Sequence, residues 1–277
     1  MKIFKAFGAV AFTVLTLALT AHGQTTAGQG KAVTSGKAVD VAAIVRAFTA
    51  KETEFRRALN GYTFTRDALV QTIGVGGEVT GEYQRTSQFT FDDVGNRFER
   101  ITHFPVPTLT EVSFTNEDLE DLGGVQPFAL EASKIDKYNF TYVGTEKVDE
   151  LNTYVFDVSP KVMPKKESER FFQGRVWVDD RDLQIVKVRG KGVPEGKQRF
   201  PTFETYRQQI DGKFWFPTYT SADDDLVFPE GPVVHIRMVV RYTNYKRFQG
   251  KVRVVEEGEP GEVGEPSPVP APPRPKP

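Results

Sequence analysis

The sequence predicts a mainly β (α+β) fold of about 10–12 antiparallel strands, preceded by one helix. Three observations carry this. The hydrophobic period changes from 3.6 to 2 after Gly61 and stays there to about residue 248. Turn signals recur at short spacing through the same region, as they do in a single sandwich or barrel. The chain is also rich in aromatic apolar surface, with 22 Phe and 9 Tyr among 277 residues.

The two ends read differently from the middle. Residues 1–23, MKIFKAFGAVAFTVLTLALTAHG, have the layout of a cleaved secretory signal peptide. Lys2 and Lys5 come first, a charge-free apolar run follows, and small residues stand before Gln24. That run is shorter than the roughly 20 residues a membrane-spanning helix needs, so the expectation is an exported, soluble protein. Residues 24–39 read as a flexible leader, and 251–277 as a disordered Pro-rich tail with eight prolines and few hydrophobes. The domain is expected over residues 40–250, long enough for a substantial core. The formal charge is −1, and −3 without Lys2 and Lys5, which leaves no basic stripe for nucleic acid. Cysteine is absent, so thiol chemistry and cysteine–metal sites are excluded.

The helix is expected from Asp40, a candidate N-cap, to the stop at Asn60-Gly61. Ile44, Val45, Phe48, Phe55 and Leu59 share its apolar face, with Lys51, Glu52, Glu54, Arg56 and Arg57 assigned to the polar one. Two extended runs follow, 62–73 and 78–92, joined at Gly74–Gly77. In the second, Tyr83, Phe89 and Phe91 share a face. A turn at 92–96 leads into a strand at 97–104, and TNEDLEDLGGVQPFAL (115–130) suggests one or two short helices. From Lys137 the pattern is strand and turn, with Asp211-Gly212 the clearest hairpin signal. The last strand places Val234, Ile236, Met238, Val240 and Tyr242 on one face, and His235, Arg237 and Arg241 on the other.

Catalytic patterns are scarce. Asp179, Asp180 and Asp182 invite reading as paired carboxylates, but they fall between two strands, where aspartate serves a turn. On a hairpin tip they would be hydrated and ionised, without the apolar setting that raises one carboxyl for acid catalysis. Asp223-Asp224-Asp225 lacks the ligand alternation of a calcium loop and reads as a solvated loop. His103 and His235 fit no zinc spacing, and no nucleophile elbow or phosphate loop is present. No metal, cofactor or catalytic set is therefore expected, and the protein reads as a non-enzyme. The aromatic excess allows a filled core or an apolar cavity suited to acyl chains, where each buried methylene contributes about 0.8 kcal/mol.

YVFDVSPK (154–161), followed by GRVWVDDRDLQIVKVRG (174–190), resembles the LolA-like outer-membrane lipoprotein-sorting family. There a strand ending in a Pro-Lys-like step precedes a Trp-containing strand whose Asp opens a hairpin. The matching segments here are 155–161, 176–179 and 185–187, within a resemblance covering about residues 40–248. It implies a strongly curved sheet forming an incomplete β-barrel, lidded by the first helix and a helical insertion. It also implies a carrier of lipoprotein acyl chains or other lipid in the periplasm, moving them toward the outer membrane, and a monomer is expected. A regulatory or envelope-assembly module that senses lipids or binds a membrane protein is the alternative. Candidate cavity residues are Phe89, Phe91, Phe98, Tyr154, Phe156, Val176, Val178, Ile236 and Met238. The lid helix would present Ile44, Val45, Phe48, Phe55 and Leu59, and Arg66 and Arg85 are candidates for the family's lid-locking arginine.

Overall fold

The computed structural model describes residues 39–92, 96–114, 118, 129–166, 169–196 and 199–248. The segments read from the sequence as signal peptide (1–23), leader (as far as residue 38) and tail (251–277), and all of 115–130 except Asp118, Ala129 and Leu130, lie outside them. Helix α1 spans Val41–Leu59. The Asp40 side chain caps it by accepting a hydrogen bond from the Ala43 amide at 2.9 Å. A short 3-10 turn at Ala132–Lys137, which the sequence pattern did not suggest, leads into the fourth strand.

The strands are β1 (Tyr62–Ile73), β2 (Val79–Phe91), β3 (Arg97–His103), β4 (Tyr138–Val148) and β5 (Leu151–Pro160). They continue with β6 (Phe171–Asp179), β7 (Ile185–Val193), β8 (Phe203–Ile210), β9 (Phe214–Val227) and β10 (Val233–Arg247). All ten form one sheet in the order β3-β2-β1-β10-β9-β8-β7-β6-β5-β4. Strands β4 to β10 are a run of antiparallel hairpins, and β10 then closes onto β1 with Val70 opposite Met238. The sheet is open, with β3 and β4 as its edges.

Alternation along each strand makes one face dry. In β1 every second residue from Tyr62 to Thr72 is buried, and in β10 so is every second residue from Val234 to Tyr242. This inner face carries α1. Phe48, fully buried, packs its ring edge-on to Phe140 of β4, with centroids 5.6 Å apart, and tilts against Phe156 of β5 at 5.5 Å. About two turns further on, Phe55 meets Phe216 of β9 at 5.7 Å. A single helix thus reaches β4, β5 and β9, which a flat sheet would spread over about 24 Å, so the sheet bends its inner face round α1.

The β6–β7 connection is a turn built from its aspartates. Asp179 Oδ2 accepts from the amides of Arg181 (3.2 Å) and Asp182 (3.1 Å). Asp182 Oδ2 accepts from the Trp215 indole at 2.7 Å. One part of the sequence reading is corrected: Asp179 is buried, because the turn folds its carboxylate inward onto those amides.

Two further corrections concern charged residues. Glu52, assigned to the polar face of α1, is 2% exposed, because it stands on the same stripe as Phe48, Phe55 and Leu59. Asp223–Asp225 lie inside β9 rather than in a loop. There Asp223 and Asp225 flank His235 of β10, with Asp223 Oδ1 2.7 Å from Nε2 and Asp225 Oδ1 2.7 Å from Nδ1. Asp224 turns the other way and accepts from the Thr202 amide at 2.8 Å.

Candidate functional site

The site begins with the residues under α1. Ile44, Val45, Phe48, Phe55 and Leu59 are all buried in one cluster with Phe156, Val176, Val178 and Met238, so these sequence candidates come together. Phe89 and Tyr154 pack at the margin of the same cluster, half-buried. Ile236 belongs to a smaller neighbouring cluster with Leu226 and Val234. Two candidates stand apart. Phe91 stacks on Phe248 at 4.2 Å near the end of β2, and Phe98 is 45% exposed on edge strand β3. Phe98 alternates with Glu99, so it leaves the dry face that Glu99 joins.

Val176 and Val178 are joined on the same strand by Trp177, which points to the opposite face and forms a separate cluster with Val155 and Val186. That face carries a polar groove of about 680 Å³. Several of its charges are paired: Arg175 bonds Asp157 at 2.7 Å, and Lys187 bonds Glu204 at 3.2 Å, while Glu146 accepts from the Trp177 indole at 2.9 Å.

What ties α1 to the sheet is a residue that the sequence reading passed over. Arg207 of β8 reaches under the helix and holds Glu52 bidentately, Nη1 to Oε1 at 2.5 Å and Nη2 to Oε2 at 3.1 Å. Its guanidinium also lies 4.5 Å from the centre of the Phe55 ring. Both partners are buried, so charge and counter-charge are needed together. At the surface Arg56 pairs with Glu131, and Thr53 accepts from the Ala132 amide at 3.1 Å. The only signal for the buried pair was the spacing of Glu52 from Phe48 and Phe55; Arg207 had none.

The two early-strand arginines lie elsewhere. Arg66 and Arg85 grip the two oxygens of Glu99 on β3, at 2.9 and 2.8 Å. Among the described residues their ion-pair partner is on this strand and not on α1. Arg66 also covers the Phe89 ring at 4.9 Å. It adjoins Tyr242, whose hydroxyl burial pushes well above its ordinary pKa against the pull of the Arg66 charge.

Near the C-terminal end of α1 a cleft of about 530 Å³ opens between Arg57, Ala58 and Tyr62 on one side and Asp211 and Phe214 on the other. The Tyr62 hydroxyl donates to Asp211 across it at 2.8 Å. One open antiparallel sheet thus holds its apolar face round an N-terminal helix.

No protein-family model matches the chain, and no curated protein matches it. Among solved structures it is similar to a DUF1329 family protein from Desulfovibrio piger, at 16% identity over 73% of this chain and 92% of that one, with a TM-score of 0.36. It is also similar to a LolA superfamily protein from Nitrosomonas europaea, at 13% identity over 76% and 95% of the two chains, with a TM-score of 0.36. A third likeness is to MucB, crystallised in complex with MucA, at 9% identity over 74% and 94%, with a TM-score of 0.23. No residue role passes to this chain at such identities. Among the described residues no helix is long and apolar enough to cross a membrane.

Proposed function

We propose that the protein is a periplasmic carrier that holds acyl chains of a lipid or lipoprotein between α1 and the inner face of its sheet, and moves them toward the outer membrane without covalent chemistry. The observation that carries this reading is the helix itself. An aromatic-lined sheet face is covered by one helix whose buried ionic tether is the Glu52–Arg207 pair. Displacing α1 would expose Phe140, Phe156 and Phe216 to a ligand that needs only apolar contact, and the cleft at its C-terminal end offers an entrance. Affinity then comes from buried methylenes, which suits a cargo that must be both taken up and released.

The test is native mass spectrometry of the protein purified from the periplasm, followed by titration with a fluorescent acyl probe. Co-purified lipid and saturable probe binding are expected. Protein that is repeatedly free of lipid and indifferent to the probe would remove the proposal.

A second reading, a module that senses lipid or engages a membrane-bound protein, draws on edge strand β3, where Phe98 and Ile101 are exposed beside a strand edge that is unpaired among the described residues. It predicts that replacing both with Lys abolishes capture of that partner while acyl-probe binding persists.

A further inference from the structure

The Arg66–Arg85–Glu99 cluster is unbalanced. Two guanidinium groups face one carboxylate, which spends one oxygen on each. Arg66 is 7% exposed, and its Nε–H is buried with no hydrogen-bond partner among the described residues. A buried, unpaired donor on a cation is costly unless something answers it. Arg85 is less enclosed, and its Nε makes only a 3.4 Å contact with Ser87 Oγ. The cluster therefore carries a net positive charge and an unused buried donor on the dry side of the sheet, close to the open edge formed by β3.

Its position matters as much as its charge. A continuous path of rings runs from α1 to this spot. Phe55 meets Phe216 at 5.7 Å, Phe216 meets Tyr245 at 5.2 Å, Tyr245 meets Phe64 at 5.2 Å, and Phe64 stacks on Phe89 at 4.6 Å. Phe89 is the ring that Arg66 covers. An apolar track thus ends at a pair of arginines, as a site for an amphiphile with one charged end would.

We infer that Arg66 and Arg85 form the headgroup subsite of the carrier and select amphiphiles with an anionic oxyanion head, a carboxylate or a phosphate, over neutral ones. This rests on the acyl-binding function proposed above and names its ligand class. The oxyanion takes over hydrogen bonds now made to Glu99 and supplies the acceptor that Arg66 Nε lacks, while the chain follows the rings toward α1. Guanidinium suits this task because its planar donors match an oxyanion two at a time.

The experiment compares cis-parinaric acid with its neutral methyl ester by fluorescence titration of the full chain. The wild type should bind the acid at least about tenfold more tightly than the ester, the effect of one charge-assisted hydrogen-bonded pair. Arg85→Met should lower that ratio about tenfold, and Glu99→Gln, which removes the competing carboxylate, should raise it. Circular dichroism melts confirm that each variant is folded. Equal affinity for acid and ester in the wild type, or a ratio that neither substitution moves, overturns the headgroup assignment and leaves the carrier reading standing. If neither amphiphile binds, both fall. Stabilisation by inorganic phosphate equal to that by the acid, and lost in Arg85→Met, would assign the cluster to a free anion and overturn the headgroup.

Discussion

Glu52 of α1 and Arg207 of β8 form a bidentate ion pair in which both side chains are almost wholly buried. A buried pair of this kind contributes little relative to a well-packed apolar pair, but removing one partner strands the other charge in the core. Glu52→Ala should therefore cost about 3–5 kcal/mol in urea unfolding. The double replacement Glu52→Leu with Arg207→Met should recover most of that loss. Equal costs for the single and double variants would show that packing, and not the stranded charge, sets the penalty.

The same pair bears on lid motion. If α1 moves aside to admit acyl chains, a weaker tether raises the open population without altering the sheet that receives them. Glu52→Gln keeps the shape and one carbonyl acceptor but removes the charge. In stopped-flow mixing with a fluorescent acyl probe it should speed association by about tenfold. An unchanged association rate in a folded Glu52→Gln protein would mean that α1 is a fixed part of the core and that chains bind elsewhere.

On the other face, His235 stands between two carboxylates. The hydrogen bond to Asp225 and, after it, the contact with Asp223 hold its pKa above the ordinary 6.5. These contacts favour the protonated ring, so their stabilisation is full below about pH 6.5 and is lost as pH rises through the folded-state value. The ring is 36% exposed, so the energetic effect is small and the titration itself is the better readout. Proton NMR should give a His235 midpoint above that of an unstructured histidine, falling in Asp225→Asn. A midpoint untouched by that substitution would contradict the assignment.

Features that depend on neighbours in sequence were legible in it. The bounds of α1 and β1, the Asp211-Gly212 hairpin and the Asp179–Asp182 turn all rest on local rules of capping, alternation and turn chemistry. Contacts across the sheet were not. Nothing in Tyr62–Ile73 announces pairing with β10, some 170 residues later, because strand pairing leaves no local mark. Glu52 was misread because charge normally signals a wet helix face, whereas its spacing from Phe48 and Phe55 placed it on the dry one. Asp223 and Asp225 suggested a loop because consecutive acids suit turns; opposite His235 and Arg237 their charge is matched across strands, and the strand holds. The candidate site divided the same way. Phe156, Val176 and Val178 followed from alternation, while the Glu99 that joins Arg66 to Arg85 carried no signal at all.

The hairpin strands that carried the family resemblance contain a further constraint. Gly174 of β6 and Gly190 of β7 stand opposite each other, and the Phe172 ring lies over both. A Cβ on Gly190 would come within 2.4 Å of the Gln173 carbonyl oxygen and 2.6 Å of the Phe172 ring. One on Gly174 would come within 2.2 Å of the Arg189 oxygen. Backbone cannot retreat from such a contact without separating the two strands. Gly190→Ala should therefore destabilise by about 1–3 kcal/mol, the usual range for overpacking. Shortening the ring in a Phe172→Leu, Gly190→Ala double variant should not restore it, since the clash with the Gln173 oxygen remains. Full recovery in the double variant would show that the ring, rather than the close approach of the strands, requires glycine here.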